Sequence, residues 1–167
     1  MGTPAAVALV FLLLALPICL WVVHADLSRL KIPNPAVAAL VGVYAVAGLA
    51  MVALGWWGLG DWAWRWTHLV VILLLGMAMN AVYLIGAGDA KFAAAAAPFV
   101  ALSDWATVLS LFPLLLLACW LLHRLARATA GPRLAEGWAS WTSGKRFPMG
   151  LALAATLLVY LGLAAAA

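Results

Sequence analysis

Residues 92–122 read FAAAAAPFVALSDWATVLSLFPLLLLACWLL, and the path of this stretch decides how many times the chain crosses a bilayer. It carries one formal charge, Asp104, and exceeds the roughly 20 residues of a single span. Folded back at Ser103-Asp104 it gives two short helices; unbroken, it gives one. The chain around it is built for lipid. At 69% hydrophobic and 8% charged, a sequence of 167 residues lacks the polar surface that a soluble domain requires. Charge-free stretches at 1–25, 32–60, 66–88 and 147–167 are each near or above one span in length.

Charge placement chooses between the two paths. With the fold-back there are six spans, and Arg29, Lys31, Lys91, Arg124, Arg127, Arg133, Lys145 and Arg146 share one side, leaving Arg65 alone on the other. The positive-inside rule expects this split when both termini lie outside the cytoplasm. Without it, Arg124 to Arg146 would oppose Arg29, Lys31 and Lys91, inverting the rule. The expected architecture is therefore all-α: a polytopic membrane helix bundle, one domain over 1–167, with six transmembrane helices near 5–25, 35–54, 67–85, 89–102, 105–122 and 148–164. A cytoplasmic loop covers 124–146, and both termini are non-cytoplasmic. The net charge of +4 then reports orientation, and no nucleic-acid partner is expected. Arg29 and Lys31 follow the first apolar stretch and no basic residue precedes it, which predicts a retained helix rather than a cleaved signal.

Within this frame Pro17 kinks the first helix, and Trp56, Trp57, Trp62, Trp64 and Trp66 anchor an outer loop at the headgroup layer. The fourth helix is short for a bilayer, so it calls for thinning or shelter by its neighbours. The 124–146 segment, with Trp138 and Trp141, is expected along the interface. Cys19 and Cys119 read as packing residues, and Asn80 as an interhelical hydrogen bond. His24, His68 and His123 have no ligand spacing, so no metal or cofactor is expected. Asp61 and Asp104 belong to the outer face and are expected to be dispensable for chemistry.

Asp26 and Asp89 are different. Ionisable groups at a membrane edge are costly and mark function, and the topology puts both at the cytoplasmic ends of helices. Two carboxyls in one partly desolvated site do not both ionise readily, which leaves one acid and one base. The base can take a proton from a water held between them while the acid donates to a scissile carbonyl. Gly86 and Gly88, just before Asp89, are expected to permit backbone angles and close approach of an extended substrate. Lys91 and Asn34 are candidate supporting residues, with a snorkelling lysine and a loop terminator as their plainer readings.

Three places carry a family resemblance. Asp26-Leu27-Ser28-Arg29-Leu30-Lys31-Ile32-Pro33-Asn34 resembles the first-aspartate segment of the type IV prepilin peptidases, in the short form associated with tight-adherence (Flp) pili. Gly86-Ala87-Gly88-Asp89-Ala90-Lys91 matches their Gly-x-Gly-Asp-x-Lys signature, and Phe147-Pro148-Met149-Gly150 resembles the start of their last helix, usually Pro-Tyr-Gly. The resemblance implies a bacterial inner-membrane aspartyl endopeptidase with Asp26 and Asp89 as catalytic residues. Its substrate would be a prepilin with a short basic leader and an apolar helix, cut at the cytoplasmic membrane edge. The cysteine-bearing insert of the long, methylating members is missing, so no N-methyltransferase activity is expected. Presenilin-like proteases share a Gly-x-Gly-Asp element, but Ala25 precedes Asp26 here and Met149-Gly150 follows Pro148, where those enzymes have Tyr and Pro-Ala-Leu. A proton-relaying carrier and a non-enzymatic pilus-assembly subunit are the readings from other classes.

Overall fold

The first apolar stretch forms α1 (Ala5–Arg29), with Pro17 inside it. Val7, Phe11, Ala15, Cys19 and Val22 recur at three- and four-residue steps and are fully buried, while Leu9, Leu13, Leu16 and Leu20 stay exposed on the remaining faces. A helix apolar all round, with one stripe packed, suits a bundle surrounded by lipid. The helix runs past its expected end at residue 25, so Asp26 stands in its last turn. Leu30 closes it in the left-handed region (φ 52°), its N–H donating to the Asp26 carbonyl at 2.8 Å.

A computed structural model describes residues 1–144 and 146–167; Lys145, one of the basic residues counted above, lies outside the described residues. The chain continues through α2 (Asn34–Ala53), α3 (Leu59–Trp64), α4 (Trp66–Ala81), α5 (Ala87–Ala96), α6 (Trp105–Ala128), α7 (Gly131–Leu134), α8 (Ala139–Thr142) and α9 (Met149–Ala165). The described residues are all-helical, with no strand. Ala5–Arg29, Asn34–Ala53, Leu59–Ala81 and Leu102–Ala128 are long and apolar enough to cross a membrane; Met149–Ala165 is apolar but shorter.

The 92–122 stretch does break. α5 gives way to a 3₁₀ turn at Ala97–Phe99, where Pro98 brings no N–H, and a second turn at Leu102–Asp104 leads into α6. This helix is thus shorter than the expected 89–102. α4 stops at Ala81 rather than 85, because Tyr83 turns the chain at φ 59° and the Asn80 side chain donates to the Ile85 carbonyl at 2.8 Å. Asn80 therefore ties down its own turn instead of bridging helices.

α9 packs along α1 and α6, α5 packs on α4, and α2 lies against α1 and α5. Gly150, Ala152 and Ala154 are buried on α9, where small side chains permit close helix approach. The aromatic core brings a correction. Trp57 is buried, and Trp62 and Trp66 pack on Tyr44, itself against Phe11 and Phe99. Only Trp56 and Trp64 of that group are largely exposed. The Tyr44 hydroxyl donates to the Trp62 carbonyl at 2.8 Å, so the Trp-rich segment folds into the bundle instead of only anchoring at its rim.

Asp104 is also more than an exposed outer charge. It is 6% exposed and accepts hydrogen bonds from Gly2 N–H (2.9 Å), Tyr160 O–H (2.9 Å) and Ser103 O–H (3.0 Å). Buried Arg65 donates nearby to Thr3 Oγ1 (2.8 Å) and the Gly2 carbonyl (3.1 Å) and lies over the Trp57 ring. This polar knot joins the start of α1, the α3–α4 junction, the second turn and α9. Gly2 precedes α1, so the knot lies at the opposite end of that helix from Asp26.

Candidate active site

Asp26 is 5% exposed, and its Oδ2 accepts the backbone N–H of Gly150 at 2.7 Å. Gly150 is the second residue of α9, whose first N–H groups have no intrahelical partner and whose preceding residue, Pro148, offers no side-chain cap. The last turn of α1 thus caps another helix. Asp89 is the third residue of α5 and bends back toward Gly86, the residue before the helix. Each carboxylate therefore rests on a helix N-terminus, where backbone donors and the helix dipole favour negative charge. Although distant in sequence, the two are brought to neighbouring places, since Ile32 stands against both Gly88, next to Asp89, and Gly150, which holds Asp26.

The two glycines do not use the special backbone angles expected of them. Gly86 (φ −71°, ψ 145°) is ordinary extended backbone and Gly88 is helical, so neither uses an angle reserved for glycine. Space is tight at Gly86, while at Gly88 it is an ordinary contact distance. A methyl group on Gly86 would lie 2.7 Å from Asp89 Oδ2, and one on Gly88 would touch Ile32 Cβ at 3.4 Å. Lys91 Nζ donates to Asn34 Oδ1 at 3.4 Å, linking α5 to the start of α2 on the exposed rim of the site.

Asp89 also lines a cavity of about 360 Å³. Met149 and Ile85 lie in its wall with Asp89; Phe92, Leu153 and Leu157 continue it, and Ile72 and Met79 of α4 and Phe112 of α6 are among the rest of the lining. α4, α5, α6 and α9 all contribute, and α4 and α6 are not extensively packed on each other. A buried carboxylate and a second, half-buried one lining an apolar cavity are groups that can exchange protons and polarise water.

Sequence reasoning did not pick out the Gly150 N–H. The Phe147-Pro148-Met149-Gly150 segment marked a helix start, but a backbone donor leaves no letter in the sequence. Nor did Ile32 stand out from its apolar surroundings. The histidines occupy separate places: His24 packs edge-on to Trp138, His123 stacks on Trp141 at 5.1 Å, and His68 Nδ1 lies 3.1 Å from the Val100 carbonyl. Since Trp138 and Trp141 also stack on each other, the expected interfacial segment is folded back onto the ends of α1 and α6. No family model, curated protein or solved structure matches the chain.

Proposed function

We propose that the chain is a bacterial inner-membrane aspartyl endopeptidase that removes the short basic leader of type IV or Flp prepilins, with Asp26 and Asp89 as its catalytic pair. The observation that carries this reading is the placement of the two aspartates at the neighbouring starts of α9 and α5, on either side of Ile32. In this mechanism the ionised member takes a proton from a water between the carboxyls, and the protonated member donates to the scissile carbonyl oxygen. The tetrahedral intermediate collapses as a proton passes to the leaving amine, without a covalent enzyme intermediate. Gly86 and Gly88 give the substrate close approach to Asp89, and Lys91 with Asn34 supports the rim. The apolar helix of the prepilin occupies the cavity beside Asp89. No cofactor takes part, and methylation of the new amino terminus is not proposed.

Six crossings fit this assignment: α1, α2, α3 with α4, α5 with its two turns, α6 and α9. Eight basic residues then face the cytoplasm with Asp26 and Asp89, and both termini lie outside. A proton-relaying carrier is less well supported, because the cavity wall between Asp89 and Tyr160 is apolar apart from Thr156, whose hydroxyl donates to its own helix at the Ala152 carbonyl.

Co-expression with a candidate prepilin tests the reading. Leader removal is expected with the wild type and Asp61→Asn, and is expected to fall by about a hundredfold or more with Asp26→Asn or Asp89→Asn. Retention of wild-type cleavage in either of the latter two would remove the basis for the assignment. Asp104→Asn is a poor control because Asp104 is a buried hydrogen-bond acceptor.

A further inference from the structure

Ile32 occupies a place that no catalytic description requires. It lies between the start of α5, which carries Asp89, and the start of α9, whose Gly150 N–H holds Asp26. Gly88 is the second residue of α5 and Gly150 the second of α9. A methyl group on Gly88 would lie 3.4 Å from Ile32 Cβ, and one on Gly150 would lie 3.2 Å from Ile32 Cδ1 and 2.9 Å from Asp26 Oδ2. One side chain therefore borders both glycines, with its Cβ toward α5 and its Cδ1 toward α9, where Val22 Cγ1 borders Gly150 at the same 3.2 Å.

The backbone that carries it is stiff. Leu30, two residues earlier, is fixed in the left-handed region by its hydrogen bond to the Asp26 carbonyl. Pro33 follows directly, holding Ile32 to extended conformations, and α2 begins at the next residue. Ile32 is thus anchored to the helix of Asp26 on one side and to α2 on the other. Asp26 is held by α9 and Asp89 by α5. The bulk of Ile32 between α5 and α9 therefore bears on how the two carboxylates are spaced.

We infer that Ile32 is a positioning residue, a spacer wedged between Gly88 and Gly150 that sets the separation of Asp26 and Asp89. In its catalytic consequence this rests on the peptidase reading; in its geometry it does not. The experiment follows both. With Cys19→Ala and Cys119→Ala removing the native thiols, Asp26→Cys and Asp89→Cys are introduced together, and oxidative formation of their disulfide is timed in membranes. Because disulfide bonding tolerates only a narrow range of separations, adding Ile32→Ala is expected to change the rate by about fivefold or more, whereas the volume-conserving Ile32→Leu leaves it within roughly twofold. An unchanged rate with Ile32→Ala overturns the spacer.

With both aspartates present, Ile32→Ala is expected to lower kcat for leader removal by about tenfold or more while KM stays within roughly twofold, and Ile32→Leu restores kcat. A fall confined to KM also overturns the inference. If Asp26→Asn and Asp89→Asn leave cleavage intact, the peptidase reading fails on its own, and the disulfide rates still decide the spacer.

Discussion

Asp26 holds two duties that substitution can separate. Its carboxylate caps α9 through the Gly150 N–H, and in the proposed mechanism it also exchanges protons with water and substrate. Asparagine keeps a carbonyl oxygen for the cap and loses the acid; alanine loses both. In detergent, Asp26→Asn is expected to unfold near the wild-type temperature, whereas Asp26→Ala leaves a buried N–H unpaired at a cost of about 1–3 kcal/mol and unfolds earlier. Both are expected to be inactive, as measured by leader release. The two aspartates were legible in the sequence because a charge at a membrane edge stands out against an apolar chain. Gly150 and Ile32 were not, since one acts through its backbone and the other is an aliphatic residue among many.

At the scale of elements, the all-helical, apolar character was legible from apolar length, while the short helices α3, α7 and α8 and the helix ends were not. Asp26 was expected just beyond a helix and stands inside its last turn, because α1 continues until Leu30 reverses it. The end of α4 depends on a side-chain hydrogen bond from Asn80 and on the turn at Tyr83, which periodicity does not register. The Trp-rich segment read as a headgroup anchor since that is the common place for tryptophan in membrane proteins; the partners that draw Trp57, Trp62 and Trp66 inward are Phe11 of α1 and Tyr44 of α2. Leu30 offers a test at this scale. A leucine at a left-handed C-cap is strained, and asparagine tolerates that conformation better. Leu30→Asn is expected to keep the helix end in place and to raise stability by up to about 1 kcal/mol, read from thermal unfolding in detergent. A marked loss of stability would show that the packing of Leu30 outweighs its backbone strain.

Across the whole molecule, two polar centres bracket an apolar core. One is the aspartate pair; the other is the knot of Asp104, Tyr160, Arg65, Thr3 and Gly2. α9 joins them, with Gly150 at the first and Tyr160 ten residues on, about 15 Å along the helix axis. The far knot was hidden from sequence reasoning because its members are scattered along the chain and Asp104 read as an outer-face charge. Its role in this account is to hold the bundle, and the two centres should separate experimentally. Asp104→Asn weakens charge-assisted bonds worth about 1.5–3 kcal/mol. It is expected to lower the unfolding temperature while the protein that remains folded cleaves at the wild-type rate. A cleavage defect in fully folded Asp104→Asn would instead tie the knot to the chemistry. The central claim concerns the other centre, and it is tested most directly by incubating the purified protein in liposomes with a purified prepilin and following the products by mass spectrometry. The account predicts one leader peptide and one shortened pilin with a free amino terminus from the wild type, and neither product from Asp26→Asn or Asp89→Asn. Release of both products at the wild-type rate by either variant would contradict it.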